Sequence, residues 1–474
     1  MKHYKTPFLL ALALAACGGN ARKQTLPSVE EMQAEKFIVN TRHEAAVVMD
    51  TVIPNPGVKY KERRTINPSS PPVTLHVARA LEEKPLSLSA HYSSVKLIKL
   101  AHPFAEQERG FLDSTNFTVT FEDGGSIHAM GMESSAYLTD NHIVVGDPVF
   151  GYHAYDREGN FEYTIASMEE PPPYGDDISV RIKPSERLLS SISTIGDNCF
   201  ILSIQSGRRQ YGIELHDLAT RKTYLSRPIG RDQPKFINAD SYIAYRYDAH
   251  APYPSPFMYS FEAKGDTLCR FINHNPVPPR GKGEGARADR GAFYHHDDLL
   301  TIRQSYNDTV YRVTSPRELT AAYVLDLGDR APDIYTALYG DKTGKLLPGP
   351  WIETGPFVLV AHTENYDIPV NREKHAVKFF YSHLDKATGK LYRLPGDDFP
   401  ENLLLPNDVT DGLPFMFANV QSRGKNLYVK YTRSRLEALA NHASFASLPA
   451  EQQAKTRAAL ADLKTGELLL MILE

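Results

Sequence analysis

The chain has 474 residues, with 53 Lys and Arg against 57 Asp and Glu, a net charge of -4 at pH 7. That balance excludes the global basic field of a nucleic-acid binder, and the length suits one large domain or two to three ordinary ones. Pro (33), Gly (30), Tyr (26) and Phe (21) far outnumber the single Trp351, a mix of turn formers and aromatics that points to β structure.

The chain opens on an address. Lys2 and Lys5 precede an apolar run from Phe8 to Ala16, laid out like a cleavable signal and short of the roughly 20 residues a permanent span needs. Leu14-Ala15-Ala16-Cys17 resembles the lipobox of bacterial lipoproteins. The resemblance implies cleavage before Cys17 and a lipid on Cys17, so that residues 1–16 are a signal peptide. The other reading is an ordinary secretory signal with an incidental Cys. Gly18 is not the Asp that resembles an inner-membrane retention signal, and Gly18 to Lys23 lacks the acidic run that resembles a surface-export signal. Together these point to a lipid-anchored protein on the periplasmic face of the outer membrane.

Residues 17–90 read as the anchored leash. Ser28 to Phe37 fits a short helix with Ser28 as N-cap and Glu31 three residues on. Pro54, Pro56, Pro68, Pro71 and Pro72 then keep the chain extended and only partly ordered. From about Tyr92, strand-length apolar runs alternate with turns: Val95 to Leu100, Phe117 to Phe121, His142 to Val145, Cys199 to Ile204, Phe357 to Ala361, Asn426 to Tyr431 and Leu468 to Leu473. Cys199 and Cys269 sit in such runs and read as buried thiols in preference to a disulfide.

A loose repeat organises these strands. An Asp- or Glu-opened turn with a small or Gly residue recurs at 155–160, 216–222, 261–266 and 384–390, with a degenerate copy at 311–318 and a sixth candidate at 462–467. Copies lie about 50–75 residues apart, which fits a blade of four antiparallel strands. The predicted fold is all-β, a six-bladed β-propeller over residues 91–474, with one or two β-sandwiches as the alternative. Thr432 to Ala443 and Pro449 to Leu463 read as a helical insert of the last blade, about 432–465. The final strand would then be completed by an N-terminal one, Val95 to Leu100.

Three runs carry a family resemblance. They are Ile143-Val144-Val145-Gly146-Asp147 leading to Phe161, Ser305 to Val313 followed by Leu325 to Asp329, and Asn407 to Phe415 followed by helices and a closing strand. The chain resembles the six-bladed, TolB-like propeller lipoproteins of the Bacteroidales over roughly residues 90–474. The resemblance implies a fold and a location, and it supplies no catalytic residues.

Candidate chemistry is sparse. His295, His296, Asp297 and Asp298 form the densest set of divalent-metal ligands, but neighbours on a strand face opposite ways, and a hairpin turn belongs there. Residues 274–291 form a locally basic loop without P-loop spacing. Residues 169–177 form an acidic, Pro-stiffened loop. Gly124-Gly125-Ser126-Ile127 lacks the closing Gly of a nucleophile elbow, and Ser126 near His128 makes no triad. Tyr253, Tyr259, Trp351, Tyr366 and Phe415 could line a channel or pack between blades. Asp-Ser or Asp-Thr motifs at Ser114, Thr51, Thr267 and Thr309 resemble an O-glycosylation signal of Bacteroidota, with ordinary turns as the simpler reading. The function expected is a membrane-tethered, non-enzymatic binding or scaffold protein, a monomer whose ligand is an envelope protein, peptide or glycan. It needs no cofactor beyond the lipid on Cys17. The alternative is a propeller hydrolase or lyase, with or without a metal, in the central channel.

Overall fold

The computed structural model describes residues 38–40, 71–107, 109–121, 126–147, 151–167, 177–182, 187–205, 210–230, 234–238, 241–245, 255–262, 267–273, 292–303, 308–332, 336, 343–364, 378–397, 399–400 and 402–474. Cys17 and the expected helix at Ser28 to Phe37 lie outside them. The structure is mostly β: among the described residues there are many small sheets, none closed into a barrel, and two short α-helices. It divides into two compact units. One holds the described residues of Ser87–Arg231 and Leu404–Glu474, the other those of Leu26–Leu86 and Asp232–Leu403.

The first unit contains three four-stranded antiparallel meanders. Ser135–Leu138, His142–Asp147, Gly151–Asp156 and Phe161–Ser167 form one. Arg187–Ile195, Asn198–Gln205, Gln210–Asp217 and Lys222–Gly230 form the next. The last consists of Val420–Arg423, Asn426–Tyr431 and Leu468–Leu473, and its fourth strand is Val95–Leu100. That closure is the expected one, with Ile98 opposite Leu470. Ile143 and Val145 pack with Ile98, Leu100, Leu470 and Ile472, while Val144 packs with Leu189, Ile192 and Ile201. A sheet buried on both faces has no polar side to show. Ile143-Val144-Val145 is therefore a continuous apolar run where a half-exposed strand would alternate.

The second unit also holds three meanders. Pro234–Asn238, Ser241–Tyr245, Ser255–Glu262 and Thr267–Asn273 come first. Ala292–His296, Leu299–Arg303, Thr309–Ser315 and Glu318–Leu325 follow. Leu346–Glu353, Phe357–Glu364, Lys378–Asp385 and Lys390–Leu394 complete the set. The stretch read as a leash is more than a tether here. Ile38–Asn40 adds in parallel beside Thr267–Asn273, Val73–Leu75 adds in parallel beside Glu318–Leu325, and Glu83 bridges Arg393.

The repeated turn sits at one place, between the third and fourth strands. Asp156 accepts from the backbone N–H groups of Glu158 and Asn160, Asp217 from Thr220, and Asp385 from Ala387 and Thr388. Gly159 (φ 91) and Gly389 (φ 67) take the left-handed step, and Arg221 (φ 58) does so without a Gly. The sixth candidate differs. Residues 462–467 end the helical insert and lead from the second strand of their meander to the third, so they are no copy of the turn. That insert holds α1 (Arg433–Ala440), capped by the Thr432 hydroxyl on the Arg435 N–H, and α2 (Ala450–Asp462).

The two turn glycines should separate in a stability measurement. A Cβ at Gly389 would meet no atom within 4 Å, whereas one at Gly159 would lie 2.5 Å from Ile98 Cγ2. Gly389→Ala should cost about 1–2 kcal/mol for the left-handed backbone alone, and Gly159→Ala more. Urea midpoints of the two variants check the order.

Candidate functional site

The two ends of each meander differ. Connections between first and second strands are tight, as at 139–141, 196–197 and 297–298. Several of those between second and third strands, or onward to the next meander, run through longer stretches such as 101–134, 168–186, 246–254, 274–291 and 365–377. Two of these connections build a further sheet in the first unit. Asp177–Ile182 lies parallel to Thr115–Phe121, which pairs antiparallel with Ser126–Met132.

Period-two alternation gives this sheet two unlike faces. Phe117, Val119 and Ile178 are buried beneath it. Asn116, Ser126, His128, Met130, Asp177 and Ser179 are exposed on the other side, and most of them line an open groove of about 380 Å³. Thr118 stands opposite His128, and its hydroxyl lies 2.9 Å from His128 Nδ1. The Ser126 hydroxyl lies 3.0 Å from His128 Nε2. Asn116 Nδ2 donates to Asp177 Oδ1 at 3.0 Å, and Asn116 Oδ1 accepts from the Gly131 N–H at 3.2 Å.

A hydroxyl thus lies at each ring nitrogen of His128, and neither of these partners is a carboxylate. A nucleophilic Ser needs a base that is itself oriented and charge-stabilised by a third group. What this face offers instead is a set of fixed hydrogen-bonding groups beside one carboxylate. The proximity of Ser126 to His128 is legible in the sequence. The contributions of Asn116, Thr118 and Asp177 depend on strand pairing across tens of residues and carry no local signal.

The two candidate His ligands are drawn apart, while His296 Nε2 stays 3.9 Å from Asp297 Oδ2. His295 Nε2 lies 2.7 Å from the Phe236 carbonyl oxygen, while His296 Nε2 faces Glu353 Oε1 at 3.5 Å. Asp297 (φ 48) and Asp298 (φ 65) form the expected two-residue hairpin turn, whose twist requires positive φ at both positions. Among the described residues no three His, Cys, Asp or Glu side chains group as metal ligands.

Sequence reading missed a charged hub at Glu353, whose side chain is 0% exposed. Its Oε1 accepts from Arg312 Nη2 at 2.5 Å, Lys386 Nζ at 2.8 Å and the Tyr323 hydroxyl at 2.7 Å. The Tyr294 hydroxyl donates to Oε2 at 2.8 Å. Burial pushes the Glu353 carboxyl up, but Arg312, His296 and Lys386 outweigh it and hold the group well below the usual range. The one sequence signal was a charged residue ending the run Trp351-Ile352-Glu353.

Other candidates resolve by burial. Trp351 and Phe415 are core residues. Tyr253, Tyr366, residues 274–291 and residues 169–176 lie outside the described residues, as does the side chain of Tyr259. Cys199 and Cys269 are buried free thiols. Of the possible glycan acceptors, Thr309 is 0% exposed and Ser114 is exposed; Thr51 and the side chain of Thr267 lie outside the described residues. No described helix is long and apolar enough to cross a membrane.

A family model described as a domain of unknown function (DUF4933) matches residues 55–191 and 213–442. The chain belongs to this family. No curated protein matches it. Among solved structures, a Bacteroides fragilis protein whose name calls it exported is 11% identical, with a TM-score of 0.48, over 85% of this chain and 99% of that one. A DUF4221 family member from Bacteroides vulgatus is 9% identical, with a TM-score of 0.35, over 81% of this chain and 98% of that one. BamB from Moraxella catarrhalis is 11% identical, with a TM-score of 0.23, over 50% of this chain and 60% of that one. None of the three reaches the similarity at which a likeness would carry an argument about this chain.

Two predictions follow from the buried charges. Glu353→Gln leaves Arg312 and Lys386 facing a neutral amide and should cost about 3–5 kcal/mol, read as a lowered denaturation midpoint. Burial also holds His102 and His362 down to about 4, and His153 down to about 3. These rings stay neutral in the folded chain and take up protons first in the unfolded one. Stability should therefore fall as pH drops from about 6.5 towards 4. Thermal melting across that window checks the sign, and His153→Phe should flatten the slope.

Proposed function

We propose that this member of the DUF4933 family is an exported, lipid-anchored binding protein of the outer membrane's periplasmic face. In this reading the groove over the three-stranded sheet takes an envelope ligand. The carrying observation is the two-faced sheet. Phe117, Val119 and Ile178 fix it from below, so Asn116, Thr118, His128 and Asp177 are held in place before any ligand arrives. Preorganised polar groups lower the ordering cost of binding.

The meanders would be the blades of a six-bladed propeller. The repeated third-to-fourth-strand turn supports this, as does the last meander, which takes Val95–Leu100 as its fourth strand. Such a strand exchange is how a ring of sheets would close without an open edge. The lipobox ending in Cys17 supports the anchor, and residues 18–23 support the periplasmic face.

Two measurements test the reading. Cys17→Ser should abolish palmitate labelling and move the protein from the membrane fraction to the soluble one; unchanged fractionation would remove the anchor. A photo-crosslinking amino acid at Met130 should capture a ligand in intact cells, while one at Ala387, in a tight turn, should not. Equal labelling at both positions, or none at Met130, would count against the groove.

A further inference from the structure

The last meander of the second unit hides two polar atoms without partners. Val360 and Ser382 pair across neighbouring strands and share one face of the sheet. His362, two residues beyond Val360, lies on the same face. That face packs on the preceding meander, with Val358, Val360 and Leu384 against Val310, Tyr323 and Leu325. Ser382 is 1% exposed and His362 is 4% exposed. Ser382 Oγ and His362 Nδ1 nevertheless have no hydrogen-bond partner among the described residues. An unmet polar group inside a protein costs its full desolvation, so nearly all such groups find a partner.

A cation stands beside them. Arg393 pairs with Ser382 across the next strand, and its guanidinium lies 4.9 Å over the Phe380 ring. The His362 ring stacks on Phe380 as well, with centroids 5.4 Å apart and planes 14° from parallel. His362 pairs with Phe380, and Ser382 is two residues further along. Ser382 and His362 are therefore diagonal neighbours, about 7–8 Å apart at the backbone. Hydroxyl, imidazole and guanidinium converge on one corner of the sheet. Arg330, from the connection before this meander, is a second cation near His362. Its Nη2 pairs with Glu364 Oε1 at 2.9 Å, whereas Arg393 has no ion-pair partner among the described residues. Burial, then Arg330 and Arg393, hold the His362 ring down to about 4. The ring is thus neutral near pH 7, and one of its tautomers carries the proton on Nδ1.

What these three groups need in common is an acceptor. A water molecule would satisfy the two buried atoms and leave the Arg393 charge unanswered. An oxyanion does both. It accepts from a hydroxyl, from an imidazole N–H and from the planar fork of a guanidinium, the pairing that suits carboxylate and phosphate. We propose that Ser382, His362 and Arg393 form a binding site for a small oxyanion, a carboxylate or phosphate group. Phe380 sets the spacing of Arg393 and His362, with one ring against each. Arg393 and Phe380 are half-buried, so the anion reaches the buried Ser382 and His362 from their side. The site lies in the second unit and the groove in the first, so neither reading rests on the other.

The test uses the full-length chain in detergent, purified without phosphate or carboxylate buffers. Sodium phosphate and sodium acetate are titrated separately, with sodium chloride at matched ionic strength as the control. At least one oxyanion should bind in calorimetry, raise the melting temperature and shift the His362 ring signals in NMR. Those signals are assigned by their loss in His362→Gln. The oxyanion that binds more tightly identifies the group, and chloride should do none of this. Arg393→Gln and Ser382→Ala should each weaken binding about tenfold or more, since each removes a charge-assisted hydrogen bond. Without the anion, Ser382→Ala should melt no lower than the unsubstituted chain, because its hydroxyl has no partner to lose. Unchanged binding in both variants, or no response to either oxyanion, would overturn the proposal. So would an equal response to chloride, or a crystal grown with the oxyanion that shows only water on Ser382 and His362. None of these outcomes bears on the groove, which the Met130 crosslink tests.

Discussion

Strand edges dominate the design of this chain. Each of its sheets ends on backbone groups that must find a partner, and small sheets have proportionally more edge than large ones. At some of these edges the chain supplies its own N-terminal segment. Ile38–Asn40, Val73–Leu75 and Glu83 attach in turn to the three meanders of the second unit, and Val95–Leu100 becomes a full strand in the first. A stretch that reads as a tether in the sequence is partly a component of the domain.

Charged pins complement the apolar contacts between neighbouring sheets. Glu353, on the last meander of the second unit, is bound by Arg312 and Tyr323 of the meander before it. In the first unit, Asp197 accepts from the Thr139 hydroxyl at 2.8 Å and the Asn141 N–H at 2.9 Å, joining the tight turns of two meanders. Glu133 accepts from Arg435 at 2.6 Å and pairs with Lys430 at 3.1 Å, tying the connection before the first meander to α1 and the last meander. Apolar faces are tolerant of sliding, whereas a buried carboxylate with several donors has one satisfied position. Such pins fix register more than they add stability.

The sequence made the local features legible and the distant ones not. Strands such as His142–Asp147 and Phe357–Glu364 announce themselves by unbroken apolar runs, because both faces are buried. The Asp-opened turns are readable because side chain and backbone lie within four residues. The strand exchange between Leu468–Leu473 and Val95–Leu100 joins two apolar runs that are each readable as strands. The turn-like stretch at 462–467 misled, since an Asp and a Gly at similar spacing also end a helix: Gly466 (φ 81) serves the exit from α2. The groove was half visible. Ser126 and His128 are two residues apart, but Asp177 reaches them only through a parallel pairing with Thr115–Phe121 that no local pattern encodes. Glu353 was invisible for the same reason, its partners running from Tyr294 to Lys386.

The exchanged strand also orders events in time. Val95–Leu100 leaves the ribosome well before Leu468–Leu473, the strand it needs, which lies more than about 360 residues further along the chain. Until Leu468–Leu473 emerges, Ile98 and Leu100 have no sheet to join, and the core they share with Ile143 and Tyr155 is incomplete. Contacts of such long sequence separation pay the loop-closure entropy before any reward arrives and are slow to form. A chain built this way spends its synthesis with an apolar strand exposed, the situation in which chaperones are most useful. Its meanders can assemble one after another as they appear, but the chain has no finished first unit until its last strand is in place.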